Sequence, residues 1–204
     1  MIQTVFFDMG NVLVHFSHER MCQQIGTLCG QDAAAIRSVL FGTGLQYDFE
    51  RGRISETQMH RRLQTAVGCQ LDYDALLRAV SDIFWLNESI VPVVNAVKSR
   101  GLRVVLLSNT CVTHLNWVRR EFDVLARFDQ LVASYEAGAI KPEPAIFEAA
   151  LAAAHCEPQE CFYTDDVPEN VAAARTYGID AEVYVDTPSL VGQLLARGID
   201  IDQV

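Results

Sequence analysis

Positive charge is what this chain most lacks. It carries 16 lysines and arginines against 26 aspartates and glutamates, for a formal net charge of −10. Nucleic acids and anionic membrane surfaces are held by dense basic patches, so neither is an expected partner. Long apolar runs are missing as well. The longest are strand-length, well short of the ~20 residues that cross a bilayer. The six cysteines (Cys22, Cys29, Cys69, Cys111, Cys156 and Cys161) form no CxxC pair and no Cys/His spacing of a zinc site. Reduced, partly buried thiols in a cytoplasmic protein are the expectation. No repeat or low-complexity tract interrupts the chain. No basic leader or small-residue cleavage site precedes the first apolar run. Between Ser17 and Trp85 there is not one lysine.

What is present is a full core's worth of apolar residues. The chain has 204 residues, 50% of them hydrophobic, enough for one α/β domain and a small accessory unit. The most informative stretch is Val5-Phe6-Phe7-Asp8-Met9-Gly10-Asn11-Val12-Leu13. It reads as a buried strand that stops on a carboxylate and a glycine turn. Three later segments repeat the pattern of an apolar run with polar groups at or just past its end. They are Val104-Val105-Leu106-Leu107-Ser108-Asn109, Ala139-Ile140-Lys141-Pro142-Glu143-Pro144 and Cys161-Phe162-Tyr163-Thr164-Asp165-Asp166.

Between the first and second of these the pattern is helical, from Ser17 to about Trp85. Ser55-Glu56-Thr57-Gln58 has the form of a capping box, opening a helix with Met59, Leu63 and Val67 on one face. Leu76, Leu77, Val80 and Ile83 predict another over 72–84. The glycine-rich stretch from Phe41 to Gly52 reads as a loop, either one that touches a ligand or an ordinary interhelical connection. After Asn87 helices and strands alternate. The expected strands are 102–107, 131–134, 161–164 and 181–185. The expected helices are 91–100, 113–122, 144–155, 168–177 and 189–197. Alternation of this kind calls for a parallel sheet with right-handed crossovers. The expected architecture is therefore α/β, a doubly wound Rossmann-like parallel sheet with an inserted α-helical cap. Residues 1–14 and 89–204 would form the core and 15–88 the cap.

In such a sheet the crevice lies beyond the carboxyl ends of the strands, where strand order reverses. Asp8, Ser108, Asp165 and Asp166 fall at such ends, and Lys141 lies in a loop able to reach them. Clustered carboxylates repel unless a cation joins them. Hard oxygen donors suit Mg²⁺, which takes one or two carboxylates plus substrate phosphate. With that charge in place Asp8 could attack phosphorus, while Lys141, Ser108 and backbone N–H groups near Asn109 hold the phosphoryl oxygens.

These four segments, in order, resemble the motifs of the haloacid dehalogenase-like hydrolase superfamily, over essentially the whole chain. Asp8 matches the family's nucleophile, Ser108 its second-motif hydroxyl and Lys141 its third-motif lysine, within Gly138-Ala139-Ile140-Lys141-Pro142-Glu143-Pro144. Asp165-Asp166-Val167-Pro168-Glu169-Asn170 matches the fourth motif. The resemblance implies a Mg²⁺ site from Asp8, the Gly10 carbonyl and Asp166, with Asp165 or Asn170 assisting, and a helical cap. The substrate it implies is a small phosphorylated metabolite. The sequence sets no oligomeric state.

One position departs from the pattern. Most phosphatases of the superfamily carry a second aspartate two residues after the nucleophile, which protonates the leaving oxygen and then activates water. Here that position is Gly10. The form Asp-x-Gly-Asn-Val, with Glu50-Arg51-Gly52-Arg53-Ile54-Ser55 in the cap, is similar to a branch that includes bacterial glucose-1-phosphate phosphatase-like proteins. His15, with His18 near it at the entry to the cap, is the expected substrate contact. Two other readings compete with a Mg²⁺-dependent phosphomonoesterase. One is 2-haloacid dehalogenation, against which the Asp165-Asp166 pair counts. The other is a binding or regulatory protein that has lost its acid–base group. Phosphonate cleavage wants a Schiff-base lysine in the cap, and the cap has none.

Overall fold

The computed structural model describes residues 1–201. Its centre is a five-stranded, all-parallel sheet in the order β5-β4-β1-β6-β7. The strands are β1 (Thr4–Phe7), β4 (Arg103–Ser108), β5 (Gln130–Ala133), β6 (Cys161–Asp165) and β7 (Asp180–Val183). Successive side chains leave a strand on opposite faces, and here both faces are covered. Val5, Phe7, Val104, Leu106 and Phe162 pack with α6 (Ile90–Ser99), α7 (Val112–Glu121) and α11 (Thr187–Leu195). Phe6, Val105, Leu107 and Tyr163 pack on the other face with α9 (Pro144–Ala154) and α10 (Pro168–Thr176). Double coverage is why these strands read as unbroken apolar runs. Among the described residues no helix is long and apolar enough to cross a membrane.

The helical insertion leaves and rejoins this sheet through an antiparallel pair, β2 (Val14–Phe16) and β3 (Phe84–Leu86). Between them lie α1 (His18–Cys29), α2 (Ala33–Arg37), a π turn over Ser38–Gly42, α3 (Leu45–Glu50), α4 (Glu56–Val67) and α5 (Tyr73–Ser81). They enclose an apolar cluster of their own, with Met21, Ile25, Ile36, Leu40, Leu63, Leu76, Val80 and Ile83. Local signals fix the helix starts. The Ser17 side chain accepts from Arg20 N, Asp72 from Ala75 N, and Ser55 and Gln58 form the expected capping box.

Two expected elements differ. The helix expected to reach Phe84 stops at Ser81, because Phe84-Trp85-Leu86 pairs with Val14–Phe16 instead. The stretch expected as a loop after Phe41 contains helix α3, whose Leu45 and Phe49 are buried.

Candidate active site

Strand order reverses at β1, which is flanked by β4 on one side and β6 on the other. Asp8 follows the last residue of β1, Ser108 ends β4 and Asp165 ends β6, so all three meet at the same edge. Asp8 N donates to Thr164 O at 3.0 Å, which locks the nucleophile candidate's backbone to β6. Ser108 is buried at the neighbouring strand end.

Lys141 arrives from the loop between α8 (Ser134–Ala137) and α9, and its ammonium meets four acceptors. Nζ donates to Asp8 Oδ1 at 2.8 Å, Asp165 Oδ2 at 2.6 Å, Leu107 O at 2.9 Å and the Tyr163 hydroxyl at 3.0 Å. Its side chain is 1% exposed. Burial alone would lower the lysine, but attraction to Asp8 and Asp165 outweighs it and holds Lys141 above its ordinary range. Asn109 fixes the loop that carries it. Asn109 Oδ1 accepts from Lys141 N at 2.6 Å, and Nδ2 donates to Lys141 O at 3.0 Å. The Asn109 side chain is thus engaged with Lys141 rather than facing the crevice as a free phosphate donor.

The two aspartates of the tandem have different surroundings. Asp165 is fully buried. Besides Lys141 it accepts from the Tyr163 hydroxyl, from Val167 N at 2.8 Å and from Asn170 Nδ2 at 3.2 Å to each oxygen. Asp166 is only partly buried. It accepts from Asn11 Nδ2 at 2.9 Å, and Asn11 itself takes the left-handed conformation (φ 54°) that lets the chain double back after Gly10.

Asp8, Asp165 and Asp166 each offer a carboxylate oxygen within 4.8 Å of the others. Three carboxylates meet one ammonium. Burial, reinforced by Asp165 and Asp166, pushes Asp8 up to about 7 against the pull of Lys141. A hard divalent ion answers this imbalance, and an all-oxygen donor set fits Mg²⁺ better than a soft metal. Asp8 and Asp166 have oxygens to give, whereas those of Asp165 are already taken by Lys141, Tyr163, Val167 and Asn170.

His15 lies on β2 opposite Trp85, with ring centroids 6.0 Å apart. It is not among the groups lining the cavity beside Gly10. That cavity, of about 170 Å³, has Met9, Gly10, Asn109 and Thr110 on the sheet side, and His18, Glu50 and His114 among its other walls. Sequence reasoning did not single out Glu50 or His114 as site groups, since nothing in helix periodicity brings α3 and α7 together. Cys111 is buried, and burial pushes its thiol far up, so it is an unreactive packing group.

The model of one protein family, haloacid dehalogenase-like hydrolase, matches residues 2–178. The chain belongs to the haloacid dehalogenase-like hydrolases. A curated relative, D-ribitol-5-phosphate phosphatase of Bacteroides thetaiotaomicron, is 26% identical over 188 residues, covering 88% of this chain and 90% of its own. A haloacid dehalogenase family enzyme of the same organism, solved in complex with magnesium and inorganic phosphate, superposes with a TM-score of 0.82. At 24% identity over 91% of this chain and 95% of that one, it speaks for the fold. A Porphyromonas gingivalis protein described as a predicted haloacid dehalogenase-like family hydrolase is 26% identical with a TM-score of 0.82, over 96% of this chain and 98% of its own. The parallel sheet with helices on both faces and the helical insertion is therefore the hydrolase fold the motifs implied.

Proposed function

We propose that this hydrolase is a Mg²⁺-dependent phosphomonoesterase that acts on a small phosphorylated metabolite through a phosphoryl group carried on Asp8. The observation that carries the reading is the Lys141 ammonium bridging Asp8 and Asp165, with Asp166 in reach of the same point. Residues 1–14 and 89–204 form the catalytic core, of which the last three residues lie outside those described, and 15–88 form the cap. The reduced cysteines support a cytoplasmic location.

Asp8, Asp166 and the Gly10 carbonyl would hold the Mg²⁺, with Asp165 and Asn170 behind them. When bound, the ion neutralises the carboxylates and draws charge from the phosphoryl oxygens. An Asp8 carboxylate oxygen attacks phosphorus as the bond to the leaving oxygen breaks. Lys141 and the Ser108 hydroxyl hold the phosphoryl oxygens as charge spreads over them. Asp165, Tyr163 and Leu107 O fix the ammonium in place, so little reorganisation is needed. Water then attacks the phosphoaspartate and restores the carboxylate.

The D-ribitol-5-phosphate phosphatase relative supports a sugar or polyol phosphate as substrate. The test is phosphate release from a panel of phosphomonoesters: D-ribitol 5-phosphate, hexose 1- and 6-phosphates, glycerol phosphate and p-nitrophenyl phosphate. Each is assayed with Mg²⁺ and with chelator. Turnover that needs Mg²⁺ and vanishes in Asp8→Asn is the expected result. Absence of release from every ester would overturn the reading in favour of a binding protein.

A further inference from the structure

Gly10 leaves the reaction above without a group to protonate the leaving oxygen, and the cavity beside Gly10 offers three titratable side chains in its place. We infer that Glu50, at the C-terminal end of α3, is the acid–base residue of this enzyme. The inference rests on the phosphomonoesterase reading. In the first step the Glu50 carboxyl proton passes to the leaving oxygen as the bond from phosphorus to that oxygen breaks and the bond from phosphorus to Asp8 forms. In the second the Glu50 carboxylate takes a proton from water as that water bonds to phosphorus. The Asp8–phosphorus bond then breaks, inorganic phosphate departs and Glu50 is protonated again. Atoms and charge return to their starting point.

The other two candidates are chemically unsuited. His114 is buried on α7, and its Nε2 donates to Val80 O at 3.0 Å. Burial and the nearby His18 lower it to about 4, so at neutral pH its one ring proton is already committed to Val80. His18 is wedged between Phe16 and Phe41, ring centroids 4.8 Å from each, and burial with Arg37 lowers it to about 4 as well. Neither is in the imidazolium form at pH 7, so neither has an acidic proton to give. Glu50 is the opposite case: burial raises its carboxyl, against the Gln46 hydrogen bond and Arg51. Gln46 Nε2 donates to Oε1 at 2.8 Å, and Oε2 has no hydrogen-bond partner among the described residues.

Glu50 is also held in place, as an acid must be. Its carbonyl accepts from Ser134 Oγ at 2.6 Å, and Thr110 N donates to that same hydroxyl at 2.9 Å. Arg51 Nη2 pairs with Glu143 at 2.6 Å, two residues beyond Lys141. Gly52 lies so close to Tyr135 O that a Cβ would be 2.1 Å from it. Three consecutive residues thus tie the end of α3 to the loops that carry Asn109 and Lys141.

The test uses leaving groups of contrasting basicity. An alcohol must be protonated as it leaves, whereas p-nitrophenolate need not be. Glu50→Gln keeps the size and can still meet Gln46, so a purely structural role would leave it almost unchanged. The expected result is a fall of about 10²–10³ in kcat/KM on the best alkyl phosphate of the panel and less than about threefold in kcat/KM on p-nitrophenyl phosphate. That ratio reads only the steps up to departure of the leaving group and not the shared hydrolysis of the phosphoaspartate. Glu50→Asp, expected to keep part of the alkyl activity, guards against a folding defect, as does the aryl activity itself. Equal losses of kcat/KM on both esters, or none on either, would overturn the role of Glu50 while leaving Asp8 chemistry intact. So would a wild-type enzyme that cleaves only the aryl ester. If no ester is cleaved at all, the phosphatase reading fails first.

Discussion

The Phe16 ring occupies the space into which a side chain on residue 10 would project: a Cβ on Gly10 would lie 2.9 Å from Phe16 Cε1. The backbone of Gly10 is not in the left-handed region, so packing rather than chain geometry demands glycine here. Phe16 is itself braced by His18 and Phe84, with ring centroids 4.8 and 6.1 Å away. Gly10→Asp, which restores the superfamily's usual second aspartate, is therefore expected to destabilise by about 1–3 kcal/mol and not to raise turnover. Adding Phe16→Val opens the space. A double-mutant cycle by denaturant unfolding should return a favourable coupling of about 1 kcal/mol or more. Strict additivity of the two changes would refute the clash.

Loss of the central ammonium should be far more costly. Lys141→Met leaves Asp8 and Asp165 buried without their shared counter-ion, a change expected to cost about 3–5 kcal/mol in metal-free buffer. Turnover should fall below detection. Lys141→Arg should not rescue it, because a planar fork cannot replace a compact charge that meets four acceptors at 2.6–3.0 Å. Wild-type-like unfolding of Lys141→Met would refute this ledger of charges.

Most of this arrangement was legible in the chain itself, for a physical reason. A strand buried on both faces must be apolar throughout, so the polar residue that ends it stands out, as Asp8, Ser108 and Asp165 do. Lys141 was legible for a related reason, since Pro142 and Pro144 directly after it stiffen its loop. Groups whose role depends on tertiary approach were not. Phe84-Trp85-Leu86 continued an amphipathic helical pattern, and only its pairing with Val14–Phe16 makes it a strand. Glu50 is an ordinary acidic residue in sequence, and becomes unusual only when α3 seats it beside Gly10. The Asn109 side chain is likewise diverted to Lys141 by a contact 32 residues away.

Acid should weaken the fold through His114. Its folded-state value of about 4 lies below the ordinary 6.5, so the unfolded chain takes up the proton first as pH falls. Stability from this group is complete above pH about 6.5 and is lost progressively down to about 4, a change on the order of 3 kcal/mol. His114→Gln can still donate to Val80 O but does not titrate. Denaturant midpoints measured from pH 7 to pH 4 should therefore fall less for the variant than for the wild type. Parallel curves would show that His114 is not the sensor.

Gly52 should tolerate no side chain. It combines a φ of 66° with the 2.1 Å approach of a would-be Cβ to a main-chain oxygen, so neither partner can yield cheaply. Gly52→Ala is expected to lower stability by roughly 1–2 kcal/mol from backbone strain alone. It should also raise KM, because relief requires α3 to lift away from Tyr135. A variant with unchanged KM and unchanged unfolding midpoint would contradict the contact.

The pairing of β2 with β3 has a consequence for how such an enzyme can be remade. Val14 faces Leu86 and Phe16 faces Phe84 across one short ladder, so the chain departs and returns at almost the same point, with Cα atoms roughly 5 Å apart. Everything between can be exchanged for a different module, or replaced by a tight two-residue hairpin turn, without moving a single strand of the sheet. The first turn of α7, where Cys111 and His114 touch the insertion, and Ser134, Tyr135 and Glu143, which meet Glu50, Gly52 and Arg51, would need new cover. Such an exchange would keep Asp8, Ser108, Lys141 and the tandem aspartates in place, and the incoming module would have to bring its own acid–base group.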